Sequence, residues 1–94
     1  MHQYQILYWR DIPAQVRVFD GRKPVSRTMP AQFQGEIDRL AMAEGLEGSD
    51  AYLDQWQWTE RRQREGEEEE DIQQVLDALV RELEKEHDRL AELP

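Results

Sequence analysis

From Tyr4 to Trp9 every residue except Gln5 is apolar or aromatic. These are good β-formers, and they predict a strand over residues 3–10. Tyr4, Ile6 and Tyr8 share one face, and Gln5, Leu7 and Trp9 share the other. A strand apolar on both faces is central or covered on both sides. Asp11-Ile12-Pro13 breaks it, because Pro13 lacks an N–H and forces Ile12 to be extended. Over 14–19 the pattern alternates. Ala14, Val16 and Val18 point one way, and Gln15 and Arg17 point the other, so a second strand with one buried face follows. Asp20-Gly21 is a turn signal. Residues 24–28 read as a weaker third strand through Val25, which Pro24 makes either an edge strand or an irregular segment.

The period then changes to that of a helix. Thr28 is the expected cap and Pro30 suits the first turn. Phe33, Ile37, Leu40 and Ala41 fall on one helical face. Gly45 is the expected left-handed stop, with Leu46 folding back on Leu40 or Ala41 as in a Schellman ending. Ser49 and Asp50 start a short second helix with Tyr52, Leu53 and Trp56 on its apolar side.

Apolar content falls after Trp58. The arginine-rich run that begins at Arg61 and the acids from Glu67 to Asp71 read as a charged linker. Consecutive acids suit a helix N-terminus, where they complement the macrodipole. A third helix is therefore expected over about 68–90. Ile72, Leu76, Leu79, Leu83 and Leu90 form its stripe, flanked by Val75 and Val80. The expected organisation is a core domain over 1–59, a charged linker over 60–71 and an amphipathic helix over 72–94. The fold class is α+β: a two- or three-stranded antiparallel sheet, two helices packed on it, and the acidic C-terminal helix.

Composition narrows the function. Ninety-four residues make at most one domain. The absence of cysteine removes disulfides, zinc-thiolate and iron–sulfur sites and thiol nucleophiles. Neither a signal peptide nor a membrane-length apolar run is visible, so the chain is read as soluble and cytoplasmic. The net charge is -9. Residues 1–59 carry 8 acidic and 6 basic side chains, whereas residues 60–94 carry 13 and 6. Such a field opposes phosphate backbones and anionic membranes, so neither nucleic acid nor membrane is an expected partner. A basic protein partner fits the charge, although acidity is mostly a solubility device.

No catalytic constellation emerges. Ser26 and Ser49 lie outside any nucleophile elbow, and Ser49 is explained as a cap. There is no glycine-rich phosphate loop. His87, among Glu84 and Asp88, has no second histidine near it, so no metal site is expected. No cofactor is implied and the chain is read as a non-enzyme. The residues left for binding are aromatic, cationic or on the helical seam. Tyr8, Trp9, Arg10, Asp11 and Pro13 form one candidate partner-binding patch, since Trp and Arg are enriched at hot spots. The other reading is that Trp9 fills the core and Arg10–Asp11 is a turn ion pair. Trp56 and Trp58 are a second candidate, face-sharing if extended and divergent if helical. One of them is expected in the core and the other as an exposed anchor. Leu76, Leu79 and Leu83 of the seam either cover the chain's own sheet or dock on another protein or a second copy.

Three segments resemble a known family: Tyr8-Trp9-Arg10-Asp11-Ile12-Pro13-Ala14-Gln15-Val16; Met29-Pro30 with Phe33-Gln34, Ile37-Asp38-Arg39 and Ala41-Met42; and Gly48-Ser49-Asp50-Ala51-Tyr52-Leu53 with Trp56 and Trp58. Together they look like the bacterial domain family labelled "virulence factor", over about residues 4–58. A related domain occurs in the staphylococcal conserved virulence factor C, beside a NifU-like domain and HEAT-type repeats. The label records a phenotype and implies no toxin activity. Stand-alone members resemble those encoded near folate- and corrinoid-dependent one-carbon enzymes, which implies an accessory role. The resemblance carries no catalytic residues. The leading expectation is a non-enzymatic interaction module or accessory subunit of a bacterial cytoplasmic complex. The alternative is a small-molecule or cofactor-binding component active only within a complex, with a pocket lined by Tyr4, Tyr8, Trp9 and Trp56.

Overall fold

Strand β1 (His2–Trp9) turns back into β2 (Ile12–Asp20) through Arg10 and Asp11. In the computed structural model, which describes residues 2–20, 23–46, 48–64 and 71–92, Trp9 pairs with Ile12 and Leu7 with Gln15. Tyr8 pairs with Pro13, so Ala14 is an extra residue on β2. This bulge is where a proline fits inside a central strand, because the ladder is already interrupted there. β2 thus begins at Ile12, earlier than the proline predicts. The freed Ala14 carbonyl accepts from Met29 N–H at 2.9 Å. Strand β3 (Lys23–Thr28) pairs antiparallel with β2 and forms one edge, as expected. Gly21 of the predicted turn lies outside the described residues.

Helix α1 (Ala31–Ala43) starts at Pro30, not Thr28, and has no side-chain cap. Phe33, Ile37 and Ala41 are buried, while Leu40 faces out. Its end is a Schellman motif. Gly45, at φ 69°, donates to Met42 O, and Leu46 N–H reaches Ala41 O at 2.8 Å. Leu46 returns to the core as expected. Ser49 caps helix α2 (Asp50–Asp54), its hydroxyl accepting from Tyr52 N–H. Tyr52 turns inward and Leu53, predicted on the same side, turns out.

The chain then makes two short strands that the sequence hides. Strand β4 (Trp56–Trp58) pairs with the C-terminal half of β1, and β5 (Arg62–Arg64) pairs with its N-terminal half. Between them the register slips by one residue. Thr59 bridges the gap. Its N–H donates to Ile6 O at 2.9 Å and its hydroxyl accepts from Ile6 N–H at 3.0 Å. The fold is α+β with an antiparallel sheet, but among the described residues it has five strands and not two or three. Part of the expected linker is sheet, because pairing with β1 overrides the weak strand propensity of Arg62-Gln63-Arg64.

Helix α3 (Ile72–Glu92) begins after Asp71, whose carboxylate accepts from Gln73 N–H at 3.1 Å. The expected acidic entry from Glu67 to Glu70 lies outside the described residues, as does the Leu90 side chain. α3 lies on β2 and β3. Val75, Leu76, Leu79 and Leu83 join Ile6, Val16, Val18, Phe33 and Ile37 in one core. Ion pairs fasten α3 at its sides: Arg27 with Asp77, and Arg64 with Glu82 at 2.7 Å. Among the described residues, no helix is long and apolar enough to cross a membrane.

Candidate interaction surface

The β1–β2 corner places its candidate residues in different environments. Trp9 has no solvent exposure. It belongs to the core, where Tyr52 packs against it at 5.8 Å between ring centroids. Its indole N–H donates to Tyr52 O at 3.1 Å, so the one polar atom of this buried ring is satisfied. Arg10 has φ 57°, a left-handed conformation rare for a residue with a side chain. Its neighbours hold it there. Its N–H donates to Gln55 O at 3.2 Å, and its guanidinium grips Glu44 with two hydrogen bonds, one at 2.8 Å. The hydrogen bond to Arg10 holds the Glu44 carboxyl below its ordinary pKa. The same bond raises Arg10 above its own.

Tyr8, Asp11 and Pro13 border a cleft of about 40 Å³ against Leu83, Glu86 and His87 of α3. Burial, reinforced by the Glu86 charge, raises the Tyr8 phenol above its ordinary pKa. His87 does not gather ligands from its own helix. It pairs across to Glu36 of α1 at 2.8 Å and lies against Phe33. Among the described residues, no three His, Cys, Asp or Glu side chains group as metal ligands would.

Trp56 and Trp58 are extended, so they share a face, but they meet different neighbours. Trp56 packs on the core, edge-on to Tyr52 at 6.1 Å. Trp58 does not touch the core. Leu76, Leu79 and Leu83 are buried beneath α3 and are unavailable to a partner, as is Trp9. The seam covers the chain's own sheet.

Trp58 instead belongs to a surface that no sequence motif marks. Register puts Gln3, Gln5 and Leu7 of β1 on one face with Gln15, Arg17 and Phe19 of β2. Trp58, opposite Leu7, extends this outer face across β4. Leu7, Phe19 and Trp58 are half-buried, and none packs on the core. Two guanidiniums cover the rings. Arg17 lies 3.8 Å from the Trp58 centroid and 5.5 Å from that of Phe19. Arg61 lies 4.0 Å from Phe19. Glutamines orient both. Gln5 Oε1 accepts from Arg17 Nε and Nη2 at 2.9 and 2.6 Å, while Gln5 Nε2 donates to Thr59 O at 2.8 Å. Gln3 Oε1 accepts from Arg61 at 3.3 Å. The alternation of Gln15 and Arg17 points to this face from sequence. The contribution of Arg61 depends on a bulged strand that composition disguises as linker.

A small antiparallel sheet packed by helices on a shared core, with an arginine–aromatic outer face, defines a compact α+β domain. The chain belongs to the family described as Virulence factor, whose model matches residues 7–93. The match therefore runs through α3, beyond the segments that carry the resemblance in sequence. No curated protein and no solved structure matches the chain.

Proposed function

We propose that this chain is a non-enzymatic protein-interaction module, an accessory subunit that meets its partner through the outer face of the sheet. The observation that carries this reading is the stack of Arg61, Phe19, Arg17 and Trp58 away from the core. Aromatic and arginine side chains are the residue types that dominate binding energy at interfaces. Phe19, Arg17 and Trp58 are mounted on paired strands and Arg61 directly precedes β5, so little conformational freedom remains to be lost on binding. The small-molecule alternative finds less support. The cleft beside Tyr8 and a concavity of about 150 Å³ lined by Asp38, Ala41, Gly48 and Tyr52 fall short of the roughly 300–1,000 Å³ of ligand sites. The pocket expected around Trp9 has no wall there, since Trp9 is buried.

The test is co-purification from cells that carry the gene natively, with folate- and corrinoid-dependent enzymes as the first partners to examine. The Leu7→Ser, Trp58→Ser variant should fold and lose the associated protein. A Leu53→Ser variant on the exposed side of α2 should retain it. Retention by the first variant would overturn the reading.

A further inference from the structure

The outer face contradicts the charge of the chain that carries it. Acids outnumber bases 21 to 12, and Arg10, Arg27 and Arg64 each pair with a carboxylate. Arg17 and Arg61 do not. Among the described residues no carboxylate lies within ion-pair distance of either, and their hydrogen bonds go to neutral glutamines. Beside Arg17 and Phe19 on this face the register brings Gln3, Gln5, Gln15, Pro24 and Ser26, none of them charged. Arg17 commits Nε and Nη2 to Gln5, leaving Nη1 without a partner among the described residues. Two guanidiniums, held by stacking and by glutamines, are thus presented with donors to spare. That is the arrangement that binds planar oxyanions, with geometry fixed before the ligand arrives.

We infer that the outer face recognises carboxylates of a protein partner, with Arg17 and Arg61 as their receptors and Trp58 and Phe19 as the apolar floor; this rests on the outer face being the contact surface. Charge complementarity selects the occupant. A nucleic acid offers oxyanions too, but its uniform negative charge meets repulsion from a chain of net charge -9. A second copy docking face to face would set Arg17 and Arg61 against their own equivalents. A polypeptide segment with carboxylates among neutral or basic neighbours satisfies both the face and its acidic surroundings.

The test is an NMR titration of the full chain, following the Arg17 and Arg61 Nε–H and Trp58 indole N–H signals. Three probes are used: a synthetic peptide with two glutamates flanked by lysines, the same peptide with glutamines instead, and an oligothymidylate. The glutamate peptide should move these signals and bind at least about tenfold more tightly than the glutamine peptide, as charge-assisted bonds to arginine imply. Arg17→Gln with Arg61→Gln should abolish the preference while the other indole signals stay dispersed. Arg17→Lys, which keeps charge but not the fork, should retain part of it. Equal binding of both peptides at this face would overturn carboxylate recognition and leave the contact surface standing. Absence of any shift at these signals would overturn both. Tighter binding of the oligothymidylate through Arg17 and Trp58 would overturn the assignment to a protein.

Discussion

Arg17 and Trp58 sit on strands that do not touch, yet the guanidinium lies 3.8 Å from the ring centroid, reaching across β1. Gln5, between them in the sheet, holds the same guanidinium by two hydrogen bonds. The contact therefore ties β2 to β4 over a strand neither can bypass. A double-mutant cycle of Arg17→Met and Trp58→Ala, read by urea denaturation, should return a coupling of about 0.5–1 kcal/mol. Additive effects would mean that the stack contributes nothing to the fold.

The terminal helix is a core element. Leu76 has no exposure and packs among the residues under β2. Leu76→Ala should cost about 2–5 kcal/mol, the range for emptying a buried leucine site. A docking helix would tolerate this change with little loss. Thermal unfolding of the purified variant distinguishes the two.

The β1–β2 corner makes stability depend on acid. Glu44 has its pKa lowered by the hydrogen bond to Arg10, so its contribution is present above the ordinary value of 4.5 and is lost as pH falls through the lower folded value. Glu44→Gln should flatten the acid limb of a stability–pH curve by lowering stability at neutral pH while leaving it unchanged below the folded pKa of Glu44. An unchanged acid limb would show that the pair adds nothing there.

Tyr8 acts at the opposite end of the scale. Burial and the Glu86 charge raise its pKa, so the neutral phenol is favoured by the fold. Its contribution is complete below the ordinary 10.0 and is lost as pH rises through the higher folded value. Tyr8→Phe should therefore reduce the loss of stability in strong alkali. Ultraviolet titration should show one tyrosine ionising later than in the unfolded chain.

Much of this architecture is legible in the chain. The β1–β2 hairpin, Gly45 stop, Ser49 cap and seam of α3 are local signals, each carried by a residue type with one strong preference. The helix start at Pro30 is misread because Thr28 is a good cap by type but already lies in β3. Leu40 and Leu53 have the right spacing for burial, but among the described residues no element covers them. β4 and β5 are illegible because three-residue strands, the second of them arginine-rich, exist only by pairing with β1. The candidate surface is half legible. The outward turn of Arg17 follows from alternation and carries Phe19 with it, whereas the choice of Trp58 over Trp56 and the placing of Arg61 come only through sheet register and the bulge after Thr59. Trp9 attracts attention as an aromatic beside Arg10 and Asp11, and its burial returns it to the core.

The central claim, that the outer face of the sheet is the working surface, is tested most directly by photo-crosslinking in native cells. A crosslinking residue is placed at Gln15 on that face, and in a separate protein at Gln32 on the exposed side of α1. Discrete adducts of one partner from position 15, absent from position 32 and suppressed by Trp58→Ser, are the predicted result. Adducts from position 32 alone, or from both positions irrespective of Trp58, would contradict it.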